Sequence, residues 1–129
     1  MAIKYHNPKT VTLAGKYSLG AEFPAGARIL SVSGQVGVDS RGKLQPTIEK
    51  QAAQVFKNIG QVLKSAGMTY KDIVKMTTFL TDARFVGPFR AARDQFITEP
   101  PYPSSTLLIV AGLADPAMLI EIEVVAAKG

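Results

Sequence analysis

Between Thr47 and Ala66, the residues Ile48, Ala52, Val55, Phe56, Ile59, Val62, Leu63 and Ala66 recur at spacings of three and four. That spacing places them along one stripe of an α-helix. A helix with one apolar stripe must bury it against a second layer, so this segment commits the chain to a packed core. Thr47 is suited to cap the helix, and Gly67 to stop it. A second, shorter helix is predicted from near Pro88 to Ile97. Phe85, Phe89, Ala92 and Phe96 line its inner side, and Pro100-Pro101 ends it.

The second layer is written in period-two alternation. Ile29 to Val38, Val74 to Leu80, Ser105 to Val110 and Leu119 to Ala126 read as strands, and a hairpin strand is expected around Tyr17 to Phe23. Asp39-Ser40-Arg41-Gly42 reads as a turn. The order is strands, helix, strand, helix, two strands. It implies an α+β fold, a mixed sheet with two helices packed on one face. With 129 residues and 47% of them hydrophobic, a single domain over 1–129 can bury a core without disulfides or metal. Leu107, Leu108, Ile109 and Val110 are apolar in succession, so their strand offers apolar side chains to both faces. Two helices cover one face. The other is expected to meet further copies of the chain.

Several chemistries are excluded by composition. The chain has no cysteine, which removes disulfides and thiol catalysis. His6 is its one histidine, so neither a Ser-His triad nor a His-rich zinc site is available. No Gly-rich phosphate loop occurs. The net charge of +5 raises nucleic acid as a partner. However, Lys50, Lys57 and Lys64 recur every seven residues along the outer side of the long helix, as a solvated face does. The start carries no run of signal-peptide length and no stretch is long enough to span a membrane. Those readings point to the cytoplasm.

Alternation in Leu119–Ala126 sets Ile120, Ile122, Val124 and Ala126 toward the helices, and Glu121 and Glu123 toward the opposite face. A carboxylate on a face expected to meet another copy is costly unless it is paired, hydrated or used in chemistry. Salt bridging and catalysis both remain open for Glu121. Ser105 and Thr106 stand at a strand entrance behind the stiff Pro100–Pro103 segment and are candidates to line a pocket. Gly34, inside a strand, marks a bulge or a close backbone approach.

Taken together, Ser33-Gly34-Gln35, Asp72-Ile73-Val74-Lys75 and Ile120-Glu121-Ile122-Glu123 resemble, in order and spacing, the Rid family, also called YjgF or L-PSP-like proteins. The resemblance runs from about Tyr17 to Ala126. It implies a chorismate-mutase-like α+β fold and a homotrimer, with small-molecule clefts between adjacent subunits and no cofactor. The best-known members are enamine/imine deaminases, which hydrolyse imines derived from 2-aminoacrylate to 2-oxo acids and ammonia. By the same resemblance Tyr17 matches the aromatic that walls the cleft, Ser33 and Gly34 match the Ser-Gly-Gln strand, and Glu121 matches the glutamate that positions water.

Two positions depart from the family pattern. Ser105 stands where the family has the arginine that clamps the substrate carboxylate, and Arg90 stands where it has an asparagine. A serine hydroxyl cannot neutralise a carboxylate as a bidentate guanidinium does. The departure therefore implies altered substrate choice. Arg90 either replaces the lost cation or is a surface residue paired with Asp94. Three functions follow: an imine or enamine hydrolase with changed specificity, a non-catalytic ligand-binding trimer, and an RNA-binding or endoribonuclease-like protein. The last is the least favoured, because His6 alone supplies no acid and base pair.

Overall fold

The computed structural model describes residues 2–129. The stripe over Thr47–Ala66 folds as α1, Ile48–Ser65, with the Thr47 hydroxyl accepting the Lys50 N–H at 3.2 Å. Gly67, at φ +70, turns the chain out of the helix where a side chain would be strained. The second helix, α2, spans Val86–Phe96 and so begins two residues before the expected Pro88. Proline is tolerated there because N–H groups in the first helical turn have no intrahelical acceptor to lose.

Among the described residues, six strands accompany the helices: β1 Lys4–His6, β2 Gly20–Glu22, β3 Arg28–Val36, β4 Ile73–Leu80, β5 Ser104–Ile109 and β6 Ile120–Lys128. The main sheet has the order β3-β6-β4-β5, with β4 and β5 parallel and the other pairs antiparallel. It is the expected mixed sheet with helices on one face. The strand expected over Tyr17–Phe23 shortens to β2, which pairs with β1 in a separate ribbon rather than joining this sheet. β1 had no readable signal, since three residues are too few to display a period.

The core lies between α1, α2 and the sheet. Phe56, Ile59, Leu63, Leu80, Ile120 and Ile122 have no exposed surface. Gln51 is buried among them, and its side chain bonds the Gln45 and Ala117 carbonyls and the Leu119 N–H. It thereby ties α1 to the start of β6. β3 ends at Val36 rather than Val38. Gly37 meets the helix there, and a Cβ at that position would come within 2.6 Å of the Gln51 Cα.

The Asp39–Gly42 turn is present, and Asp39 organises it by accepting the Arg41 and Lys43 N–H groups at 2.9 and 3.0 Å. The Lys43 bond, then the Arg41 bond, holds the Asp39 carboxyl below its ordinary pKa. A depressed folded pKa stabilises the turn at neutral pH. That contribution disappears as pH falls from the ordinary Asp range through the lower folded value. An NMR titration should place the Asp39 midpoint below 3.8. A midpoint at or above that value would contradict the turn geometry.

Candidate active site

Register in the sheet fixes which side chains share a face. On β6, Ile122 and Val124 face the helices, and Glu121 and Glu123 face away, opposite Phe79 and Thr77 of β4. Glu121 is therefore on the helix-free face, as the alternation predicts. Its carboxylate lies against Gly34, where a Cβ would overlap it. The strand there carries an irregularity, since three residue steps on β3, Val32 to Gln35, oppose two on β6, Val124 to Ile122. That extra residue is a β-bulge, and it brings the Gly34 backbone under the glutamate. The bulge expected at Gly34 is thus present, and the group close to it is the Glu121 carboxylate of the same chain. Ser33 is adjacent and exposed.

The remaining candidates sit elsewhere. Ser105 is in register with Met76 and so lies on the helix side of β5, whereas Thr106 is in register with Thr77 on the helix-free side. The Thr106 hydroxyl accepts a 2.7 Å bond from Lys75 Nζ. Tyr17 stands at the entrance of β5, because the next residue, Ser18, bonds Pro103 and Tyr102 and bridges to Ser104. Arg90 is exposed on α2. The expected Arg90–Asp94 pair does not form. Asp94 is held by Arg93 at 3.0 Å and by Lys16 at 3.3 Å. Partial burial pushes the Asp94 carboxyl up, but these two cations outweigh it and leave the pKa lowered.

Within one chain, the sheet candidates thus fall into two groups. Ser33, Gly34 and Glu121 occupy the β3–β6 side. Tyr17 and Ser105 occupy the β5 edge, with β4 between and Ser105 on the opposite face from Glu121. Glu121 and Ser105 of the same copy therefore point to opposite sides of the sheet. Among the described residues, three concavities are lined without Glu121.

β5 is more exposed than its position in the sheet required. Leu108 on the helix-free face is 40% exposed, and Leu107 and Ile109 on the helix side are 36% and 48% exposed. α1 packs over β3 and β6 and leaves this edge bare. Lys75 is the functional candidate that sequence reasoning passed over. Its signal was the alternation Lys75, Thr77, Phe79, which puts a cation on the face that carries the glutamate.

The geometry can be set beside known proteins. The family model described as endoribonuclease L-PSP matches residues 9–128. The chain belongs to this family, the Rid or YjgF proteins. It is 36% identical over 107 residues to the RutC family protein YjgH of Escherichia coli, covering 78% of this chain and 82% of that protein. It is 32% identical over 123 residues to the 2-iminobutanoate/2-iminopropanoate deaminase of Mus musculus, covering 94% of this chain and 87% of the relative. Among solved structures, the Rid protein YyfB of Yersinia pestis superposes with a TM-score of 0.89 at 28% identity, over 99% of this chain and 100% of that one. TdcF of E. coli, solved with bound serine, gives 0.75 at 28% identity over 91% of each chain. The Rid fold is therefore this chain's fold. Among the described residues, no helix is long and apolar enough to cross a membrane.

Proposed function

We propose that this Rid protein hydrolyses a small imine or enamine in a cleft that a second copy of the chain completes. The observation that carries the reading is the Glu121 carboxylate, held over Gly34 on the helix-free face. Water attacks the imine carbon while Glu121 takes its proton. The nitrogen is protonated and leaves as ammonia, and a carbonyl remains. The bare β5 edge and the division of the candidates into two half-sites support a homotrimer in which Tyr17, Ser105 and Thr106 of one copy approach Glu121 of the next. The family relatives named as 2-iminobutanoate/2-iminopropanoate deaminases support the reaction class.

Ser105 gives the substrate carboxylate no counter-charge, so a less acidic substrate is favoured. Two cations remain to hold an anionic one, Arg90 and Lys75. Lys75 is the better placed, because it shares the glutamate's face and Thr106 orients it.

Ammonia release from freshly generated imines tests the proposal. Release above buffer background is expected, faster for an uncharged imine than for a 2-imino acid. Lys75→Met should raise KM for the 2-imino acid about tenfold, the loss of one charge-assisted hydrogen bond. Arg90→Ala should leave KM within about twofold, as for an exposed charge. No release above background with any imine would dispose of the enzyme. The ligand-binding reading, favoured by Ser105 alone, would then stand.

A further inference from the structure

A cavity of about 490 Å³ opens between the C-terminal end of α2, the Pro100–Pro103 segment and the start of β4. Its volume is within the range of small-molecule sites. Its floor is Ile73 and Ile97, both largely buried, and Tyr70, Phe96 and the prolines form its walls. Those walls are already fixed. The Tyr70 hydroxyl donates to the Phe56 carbonyl at 2.8 Å, and the Tyr70 and Phe96 rings meet at a tilt of 57° with centroids 5.6 Å apart. Phe96 in turn stacks on Phe56 at 5.4 Å. A ring or branched alkyl group entering the cavity would find a corner of two aromatic faces that needs no rearrangement, and pre-organisation of this kind lowers the cost of binding.

The rim carries one charge of each sign. Lys71 Nζ and Glu99 Oε1 are 3.4 Å apart, with side chains 82% and 64% exposed. An exposed pair of this kind contributes little and opens at little cost. The partner that complements it has an ammonium and a carboxylate on one carbon, with an apolar body below. We propose that this cavity binds an amino acid with an aromatic or branched apolar side chain, its carboxylate on Lys71 and its ammonium on Glu99.

The cavity is separate from the Glu121 half of the site described above, while its Pro103 wall adjoins the Tyr17 and Ser105 half. Ile73 lies six residues from Phe79, the register partner of Glu121, roughly 20 Å along β4. Its test reads binding at the cavity walls rather than imine hydrolysis. The full chain, labelled with ¹⁵N, is titrated with L-phenylalanine, and with 3-phenylpropionate and 2-phenylethylamine, which each lack one charge. Saturable shifts are expected at Tyr70, Phe96, Ile97 and Thr98 with millimolar affinity. Binding should weaken roughly fivefold when either charge is removed, from the probe or by Lys71→Met or Glu99→Gln. Both residues are exposed, so neither variant threatens folding. Absence of shifts up to the solubility limit would overturn the proposal. So would equal binding of all three probes, or shifts at Gly34 and Glu121 instead.

Discussion

Glu121→Gln is expected to lower imine hydrolysis by about 10²- to 10⁴-fold with no change in melting behaviour, the range that loss of a positioned proton acceptor covers. The amide keeps the size of the side chain and its place over Gly34 but cannot take a proton from water. The main sheet pairs through backbone groups, and Glu121 points out of it, so the fold does not depend on the charge. Gly34→Ala is the companion variant. The added methyl overlaps the Glu121 carboxylate, which is the free end of a flexible chain and can move aside. Stability should therefore fall little, while a displacement near 1 Å is expected to cost about 10²-fold in turnover. Single-turnover ammonia release, followed beside circular dichroism, separates the two effects. Wild-type turnover in Glu121→Gln would remove the carboxylate from the chemistry.

Phe56→Ala is expected to destabilise the chain by about 3–5 kcal/mol, the cost of truncating a buried aromatic and leaving a cavity. Phe56 has no exposed surface. Its ring lies between Phe96 at 5.4 Å and Phe89 at 6.3 Å, both nearly parallel to it, so one side chain of α1 holds two of α2. α2 has no side-chain cap at its N-terminus, and packing on α1 substitutes for what a cap would add. Its loss should release α2 first. Urea unfolding measures the total, and hydrogen exchange over Val86–Phe96 measures the local part. A change under about 1 kcal/mol would mean that the helices do not share this core.

Much of the fold was legible because its patterns are long. Eighteen residues of α1 repeat the helical period several times over, and β6 alternates from Ile120 to Ala126, so each displays its buried side in the sequence. The placing of Glu121 away from the helices follows from that alternation alone. The site was legible one residue at a time, but its assembly was not. Ser105 and Thr106 are neighbours in sequence and face opposite ways in β5, which their identities do not reveal. Arg90 and Asp94 have the spacing of a helical ion pair. The pair is missing, and Asp94 is held instead by its neighbour Arg93 and by Lys16, which is far away in sequence.

The sequence by itself determined the layers: which segments form the two helices and the four strands of the main sheet, which sides are apolar, and that an acidic side chain leaves the core. Periodicity is a local property, and the chain displays it without reference to distant segments. Only the tertiary structure decided that β1 and β2 form a ribbon apart from the main sheet, that a bulge brings Gly34 beneath Glu121, and that the candidate residues fall into two halves on opposite sides of β4. Strand order and register depend on contacts between residues far apart in the chain, and no local pattern encodes them.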